Sequence, residues 1–103
     1  MIGVDLVYIP EFANQKKLGG DKLLTRAFDD SELSGSLEHS AGIWAAKEAV
    51  IKAMGNPKTE PKEVKLKYSK NGQPSAMCHK KSFDVSISHH GDYAIAVAIE
   101  VLK

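Results

Sequence analysis

The chain has one cysteine, Cys78, one tryptophan and four histidines in 103 residues. A single thiol excludes an internal disulfide and a cysteine-based zinc site. His39, His79, His89 and His90 lack the spacing of a structural zinc centre, so a metal here would need oxygen ligands. No apolar run approaches the ~20 residues of a membrane-spanning helix, and no signal-peptide pattern opens the chain. The expectation is a cytoplasmic protein without a membrane partner. There is no GxGxxG or Walker-type phosphate loop, no internal repeat and no low-complexity segment. Nothing in the sequence sets a base beside Cys78, so no thiol nucleophile is expected.

What is present is an ordinary globular composition, 43% hydrophobic and 26% charged, which argues against disorder. A length of 103 residues fits one domain, 1–103, with a modest core. Extra burial through oligomerisation suits a chain this short. A net charge of +1 gives no case for wholesale nucleic-acid binding. Residues 58–81 carry seven lysines against Glu60 and Glu63, which reads as a solvated face or as proximity to an anionic ligand. Tyr68 is the one aromatic there, so a base-stacking platform is lacking and nucleic acid is not an expected partner.

The patterning runs strand, short helices, long helix, then four strands, which predicts α+β with a mainly antiparallel sheet. Residues 2–9 read as a buried strand closed by Pro10. From Glu11 to Leu37 the pattern is helical and short-ranged. Gly19-Gly20 breaks it, and Asp29, Asp30 or Ser31 offers a cap before Leu33. Residues 38–54 predict the long helix, stopped by Gly55 and Pro57. Residues 63–69 alternate, and Asn71-Gly72 predicts a hairpin in which both residues could take positive φ. Pro74 opens a short partner strand ending near Cys78. A second hairpin over 83–90 and 92–102 turns at Gly91. In its last strand Ala94, Ala96 and Ala98 share a face suited to lying under a helix or against another subunit.

Three features could carry chemistry. Asp5 stands among Val4, Leu6 and Val7, where an unpartnered carboxylate is costly unless a cation joins it or the position is an edge. Lys47, Glu48 and Lys52 interrupt a helix that is apolar nearly all round; Glu48 and Lys52 are four apart, also the spacing of a surface pair. In Asp84-Val-Ser-Ile-Ser-His-His90 the alternation places Ser86 and Ser88 opposite Val85 and Ile87, with His89 at the strand end.

These stretches together resemble the holo-acyl-carrier-protein synthase group of phosphopantetheinyl transferases. The matching runs are Gly3-Val-Asp-Leu-Val7, Trp44-Ala-Ala-Lys-Glu-Ala-Val-Ile-Lys-Ala53, and Val85-Ser-Ile-Ser-His89 followed by Tyr93-Ala-Ile-Ala96. A looser match runs from Glu63-Val64 to Gly72-Gln-Pro74. The resemblance implies the phosphopantetheinyl transferase fold, one long central helix on an antiparallel sheet. It also implies transfer of 4′-phosphopantetheine from coenzyme A to a serine of acyl carrier protein, in fatty acid biosynthesis, with release of adenosine 3′,5′-bisphosphate. It assigns Mg²⁺ to Asp5 and Glu48. Two carboxylates ~5 Å apart repel by roughly 3 kcal/mol at a dielectric near 20, so a divalent cation suits them. Lys47 and Lys52 become candidates for positive charge on phosphate oxygens, and Ser88 and His89 for holding coenzyme A. Glu48, a metal-bound water or His89 could accept the serine proton. Phosphoryl transfer needs charge neutralisation and alignment more than a protein nucleophile. The family's homotrimers hold coenzyme A between subunits, which would give the alanine face a use.

The chain departs from that pattern at several points. Glu11 stands where the carrier-binding arginine usually is, with Lys16, Lys17, Lys22 and Arg26 following. Ile43 replaces an arginine before Trp44, the loop after the long helix shrinks to Gly55-Asn-Pro57, and a helix is missing between Met77 and Phe83. Two other readings are open: a transferase for a specialised carrier protein, and a non-catalytic oligomeric module that binds coenzyme A or a carrier.

Overall fold

The computed structural model describes residues 1–17, 28, 32 and 35–102. The expected features at Gly19-Gly20, Lys22, Arg26, Asp29, Asp30, Ser31 and Leu33 lie outside the described residues. Among the described residues, five strands form one antiparallel sheet: β1 (Ile2–Tyr8), β2 (Lys65–Tyr68), β3 (Pro74–Cys78), β4 (Lys81–His90) and β5 (Tyr93–Val101). Their spatial order is β1-β5-β4-β3-β2. The long helix spans Leu37–Met54 and crosses β1, β5 and β4. The chain is thus α+β, as its patterning predicts.

The helix ends follow from local chemistry. The Ser36 hydroxyl accepts the His39 N–H at 3.1 Å, satisfying one of the first-turn donors. Gly55 takes φ 73°, and its N–H donates to the Ile51 carbonyl at 3.3 Å. Between these caps the helix is buried nearly all round, including Ala41, Ile43, Ala45, Ala46, Ala49, Val50 and Ala53. Residues 9–17 are also helical. Phe12 there packs with Phe28 and Trp44, ring centroids 5.8–6.5 Å apart, closing the side of the long helix away from the sheet centre.

Ala94, Ala96 and Ala98 are fully buried beneath the long helix. That settles the alternative left by the sequence: the alanine face serves the helix of its own chain, not a subunit contact. Small side chains let helix and sheet approach closely. The closest approach is at Gly3, where a Cβ would lie 1.9 Å from the Ala49 carbonyl oxygen.

The strand over residues 2–9 is not buried on both sides. β1 is an edge strand with Gly3 and Val7 buried, while Ile2, Val4, Leu6 and Tyr8 are exposed on the sheet's open face. Tyr93, Ile95, Ile99 and Val101 continue that open apolar face on β5. A single strand sequence can look continuously apolar for this reason: one face meets the helix, the other is bare.

Both hairpins form, with Gly72 and Gly91 at positive φ in their turns as expected; only Asn71 departs from the expectation. In the first, the Gly72 N–H donates to the Ser69 carbonyl at 2.9 Å, and Gly72 takes φ 80° while Asn71 keeps negative φ. The link from β3 to β4 is a tight turn with His79 and Lys80 at φ 51° and 67°. This turn occupies the place where a helix was expected to be missing. Glu63, which accepts the Glu60 N–H at 2.6 Å, receives His79 Nε2 at 2.9 Å and ties the turn to the 3₁₀ helix Pro61–Glu63.

Candidate active site

Asp5 lies opposite Ala96 in the register of β1 and β5, on the helix-facing side of the strand. Because Gly3 allows β1 to touch the helix backbone at Ala49, the Asp5 carboxylate comes to the Glu48–Lys52 edge of that helix. Lys52 Nζ donates to Asp5 Oδ1 at 3.0 Å and to the Val4 carbonyl at 3.0 Å. The Asp5 side chain is 16% exposed and the Lys52 side chain 55%, so the carboxylate is set in a wall and the ammonium reaches it from outside.

Glu48, one helical turn before Lys52, shares a cleft of about 400 Å³ with Asp5; Tyr8, Glu11, Phe12 and Trp44 are among its other walls. Partial burial pushes the Glu48 carboxyl above its ordinary pKa, the Asp5 charge pushes the same way, and Lys52 opposes both more weakly. A Glu48 carboxyl made costlier to ionise by the Asp5 charge, with an ammonium drawn to Asp5, makes a cation-seeking site. Such a donor set fits Mg²⁺, which takes one or two carboxylates and completes its shell with waters and substrate phosphates. Among the described residues no group of three or more histidine, cysteine or acidic side chains is arranged to hold a metal, so an all-protein cage is not on offer.

Lys47 is placed elsewhere. Its side chain is 1% exposed, and Nζ donates to the Pro61 and Val64 carbonyls at 3.2 and 3.1 Å. Glu32 Oε1 is 3.1 Å away, and the ammonium lies 5.9 Å from the Phe28 ring centroid. These contacts correct the expectation of Lys47 as a phosphate ligand. Adjacent helix positions point about 100° apart, so Glu48 faces the cleft while Lys47 points into the core and pins the 3₁₀ turn.

Ser88 and His89 also part company. Consecutive strand residues face opposite sides of the sheet, so Ser88 is exposed on the open face. His89 is on the helix side, where its Nε2 donates to the Glu38 carbonyl at 2.9 Å. There it lines a second cavity of about 200 Å³ with His39, Gly42, Tyr68, Gly72, Pro74 and Ile87, on the other flank of the helix from Asp5. Within one chain the structure therefore brings together Asp5, Glu48 and Lys52, but not Lys47, Ser88 or His89. Sequence reasoning missed the closeness of Gly3 to the helix and the wall formed by Phe12 and Trp44; a glycine two residues before the carboxylate was the available signal.

A family model for the 4′-phosphopantetheinyl transferase superfamily matches residues 1–98. The chain belongs to this superfamily. Holo-[acyl-carrier-protein] synthase from Nautilia profundicola is 36% identical over 110 residues, covering 96% of this chain and 97% of that one. The enzyme of the same name from Verminephrobacter eiseniae is 32% identical, with 95% and 90% covered. The crystal structure of Helicobacter pylori holo-[acyl-carrier-protein] synthase in complex with coenzyme A superposes with a TM-score of 0.88, at 29% identity, over 98% of this chain and all of that one. The recognised resemblance is thereby confirmed, and with it the class of enzyme: a phosphopantetheinyl transferase of the holo-acyl-carrier-protein synthase type. Among the described residues no helix is long and apolar enough to cross a membrane.

Proposed function

We propose that this single-domain chain transfers 4′-phosphopantetheine from coenzyme A to a serine of acyl carrier protein, with Mg²⁺, serving fatty acid biosynthesis in the cytoplasm. The observation that carries this reading is the convergence of Asp5, Glu48 and Lys52 at one cleft. Support comes from the coenzyme A complexes of relatives, the Helicobacter pylori enzyme and the Chronobacterium ammoniagenes one, the latter 30% identical with a TM-score of 0.79.

Asp5 and Glu48 would hold Mg²⁺, which when bound supplies charge neutralisation for the pyrophosphate and its departing half. The chain's own part is to orient and to manage protons. Asp5 is fixed by the strand and Glu48 by a capped helix, so their oxygens are preorganised. Glu48, on the cleft wall beside Asp5, is a group placed to take the proton of the attacking serine hydroxyl. Lys52, on a flexible stem at the cleft's edge, offers compact positive charge to phosphate oxygens. His89 and its cavity face away from Asp5, so their part in holding coenzyme A requires a ligand shared between two subunits.

A homotrimer meets that requirement. Its interface, on this reading, is the bare face bearing Val4, Leu6, Ile95 and Ile99, because contiguous exposed apolar surface of this kind marks interaction sites. Ser88 opens onto the same side and would reach coenzyme A only across such an interface.

The deciding experiment incubates the protein with apo acyl carrier protein, coenzyme A and Mg²⁺ and reads the carrier's intact mass. A phosphopantetheine increment that chelation abolishes and Mg²⁺ restores is expected; an unmodified carrier refutes the reading. Glu11, on the cleft wall, favours a second reading in which the preferred carrier is a specialised one. Parallel assays on fatty-acid and specialised carriers separate the two.

A further inference from the structure

We infer that Lys52 serves as a built-in counter-cation for Asp5, one that a divalent metal displaces, so that metal loading releases the ammonium for a substrate phosphate. The inference rests on the metal reading above and extends it to a residue outside the ligand set.

Three observations carry it. Lys52 commits two of its three N–H donors, to Asp5 Oδ1 and to the Val4 carbonyl, both at 3.0 Å. The exposures are unequal, 16% for the aspartate side chain and 55% for the lysine, so displacement moves the lysine and leaves the carboxylate in place. The cleft is lined by Asp5, Glu11 and Glu48 and by no lysine or arginine among the described residues. Lys52 is therefore the cation at hand for an otherwise acidic cavity.

The electrostatics favour exchange over coexistence. One ammonium beside two carboxylates leaves a net negative charge that a divalent cation neutralises more fully. Once a metal sits on Asp5, the ammonium loses its charged acceptor, keeps only the Val4 carbonyl, and faces a like charge. A phosphate oxygen on the substrate is the natural new partner, and Lys52 needs only rotation about its own stem to reach outward. The result is coupling in both directions: a metal favours binding of the phosphate, and by reciprocity the phosphate favours the metal. Without the substrate, Lys52 weakens metal binding, so the metal is held firmly when there is a pyrophosphate to work on.

The test is a titration of the full-length protein with Mn²⁺, followed by paramagnetic resonance of the free ion, with no nucleotide present. Lys52→Met should bind Mn²⁺ about three- to fivefold more tightly than the parent, the scale of an exposed lysine–carboxylate pair. Equal or weaker binding overturns the role given to Lys52. Asp5→Asn should bind much more weakly, and if it matches the parent the metal reading itself falls. Simple like-charge repulsion would also tighten Lys52→Met, so a second measurement follows the ¹⁵N resonances of the lysine ammonium groups during Mg²⁺ addition. The Lys52 signal should move with metal occupancy; saturation of the metal site with no change at Lys52 refutes displacement. Adding coenzyme A should strengthen Mn²⁺ binding by a larger factor in the parent than in Lys52→Met, and equal factors would refute the coupling.

Discussion

Replacing Lys47 by methionine removes an ammonium that is 1% exposed and bonded to the carbonyls of Pro61 and Val64, with Glu32 at 3.1 Å. Methionine keeps most of the stem's volume, so little of the effect comes from a cavity. The loss is electrostatic. Hydrogen bonds to a charged group contribute roughly 1.5–3 kcal/mol each, and deleting one partner of a buried pair costs about 3–5 kcal/mol. Taking about 4 kcal/mol, a domain of this size would melt roughly 15–30 °C lower, a large part of a total stability of about 5–15 kcal/mol. Thermal unfolding followed by circular dichroism measures that shift. Carrier modification assayed well below the new midpoint should persist, because the ammonium points away from the cleft. Unchanged melting with abolished transfer would refute this reasoning and return Lys47 to the phosphate.

Gly3→Ala places a Cβ 1.9 Å from the Ala49 oxygen and 2.7 Å from the Ala53 nitrogen, both backbone. It should cost about 3 kcal/mol and weaken metal binding by lifting Asp5 from Glu48; denaturant midpoints and a metal titration check both, and normal values in both would deny the close approach any importance. For Glu48 the folded pKa is raised above 4.5, so the native state binds more protons than the unfolded one as pH rises through that window. Stability falls across it, and metal-free Glu48→Gln should be more stable than the parent at pH 7, with the gap closing below pH 4.5. A less stable glutamine variant at pH 7 contradicts that sign. Leu6→Glu together with Ile99→Glu puts charge on the open face of the sheet, where both residues are at least half exposed. Sedimentation should show monomers and loss of transfer; unaltered trimers would rule out this face as the interface.

Much of the architecture could be read from the chain because it is set by local rules. Gly55 stops the long helix by its left-handed freedom, and Gly91 and Gly72 allow the reversals on which the hairpins depend. The run from Trp44 to Ala53 carries the superfamily in its order of residues, and Asp5 announces itself as a charge in an apolar strand. Periodicity also put Ser88 opposite Val85 and Ile87, which the strand confirms. The break after Cys78 was legible, but the left-handed backbone of His79 and Lys80 was not, since no glycine or Asn-Gly pair marks that turn.

The chain's order and spacing of matching runs sufficed for the kind of protein; the pairing of Asp5 with Glu48 came only with the resemblance, since residue type and spacing alone left an edge position and a surface pair open. Which side chains meet was decided by the tertiary structure. Lys47 and Glu48 are neighbours in sequence, yet the helix turns one into the core and the other to the cleft. Asp5 and Lys52 are 47 residues apart and meet at 3.0 Å because Gly3 lets a strand rest on a helix. The alanines of β5 and the isoleucines between them are equally apolar on paper. Only the position of the long helix decides that the alanines are buried in this chain and that the isoleucines are left bare.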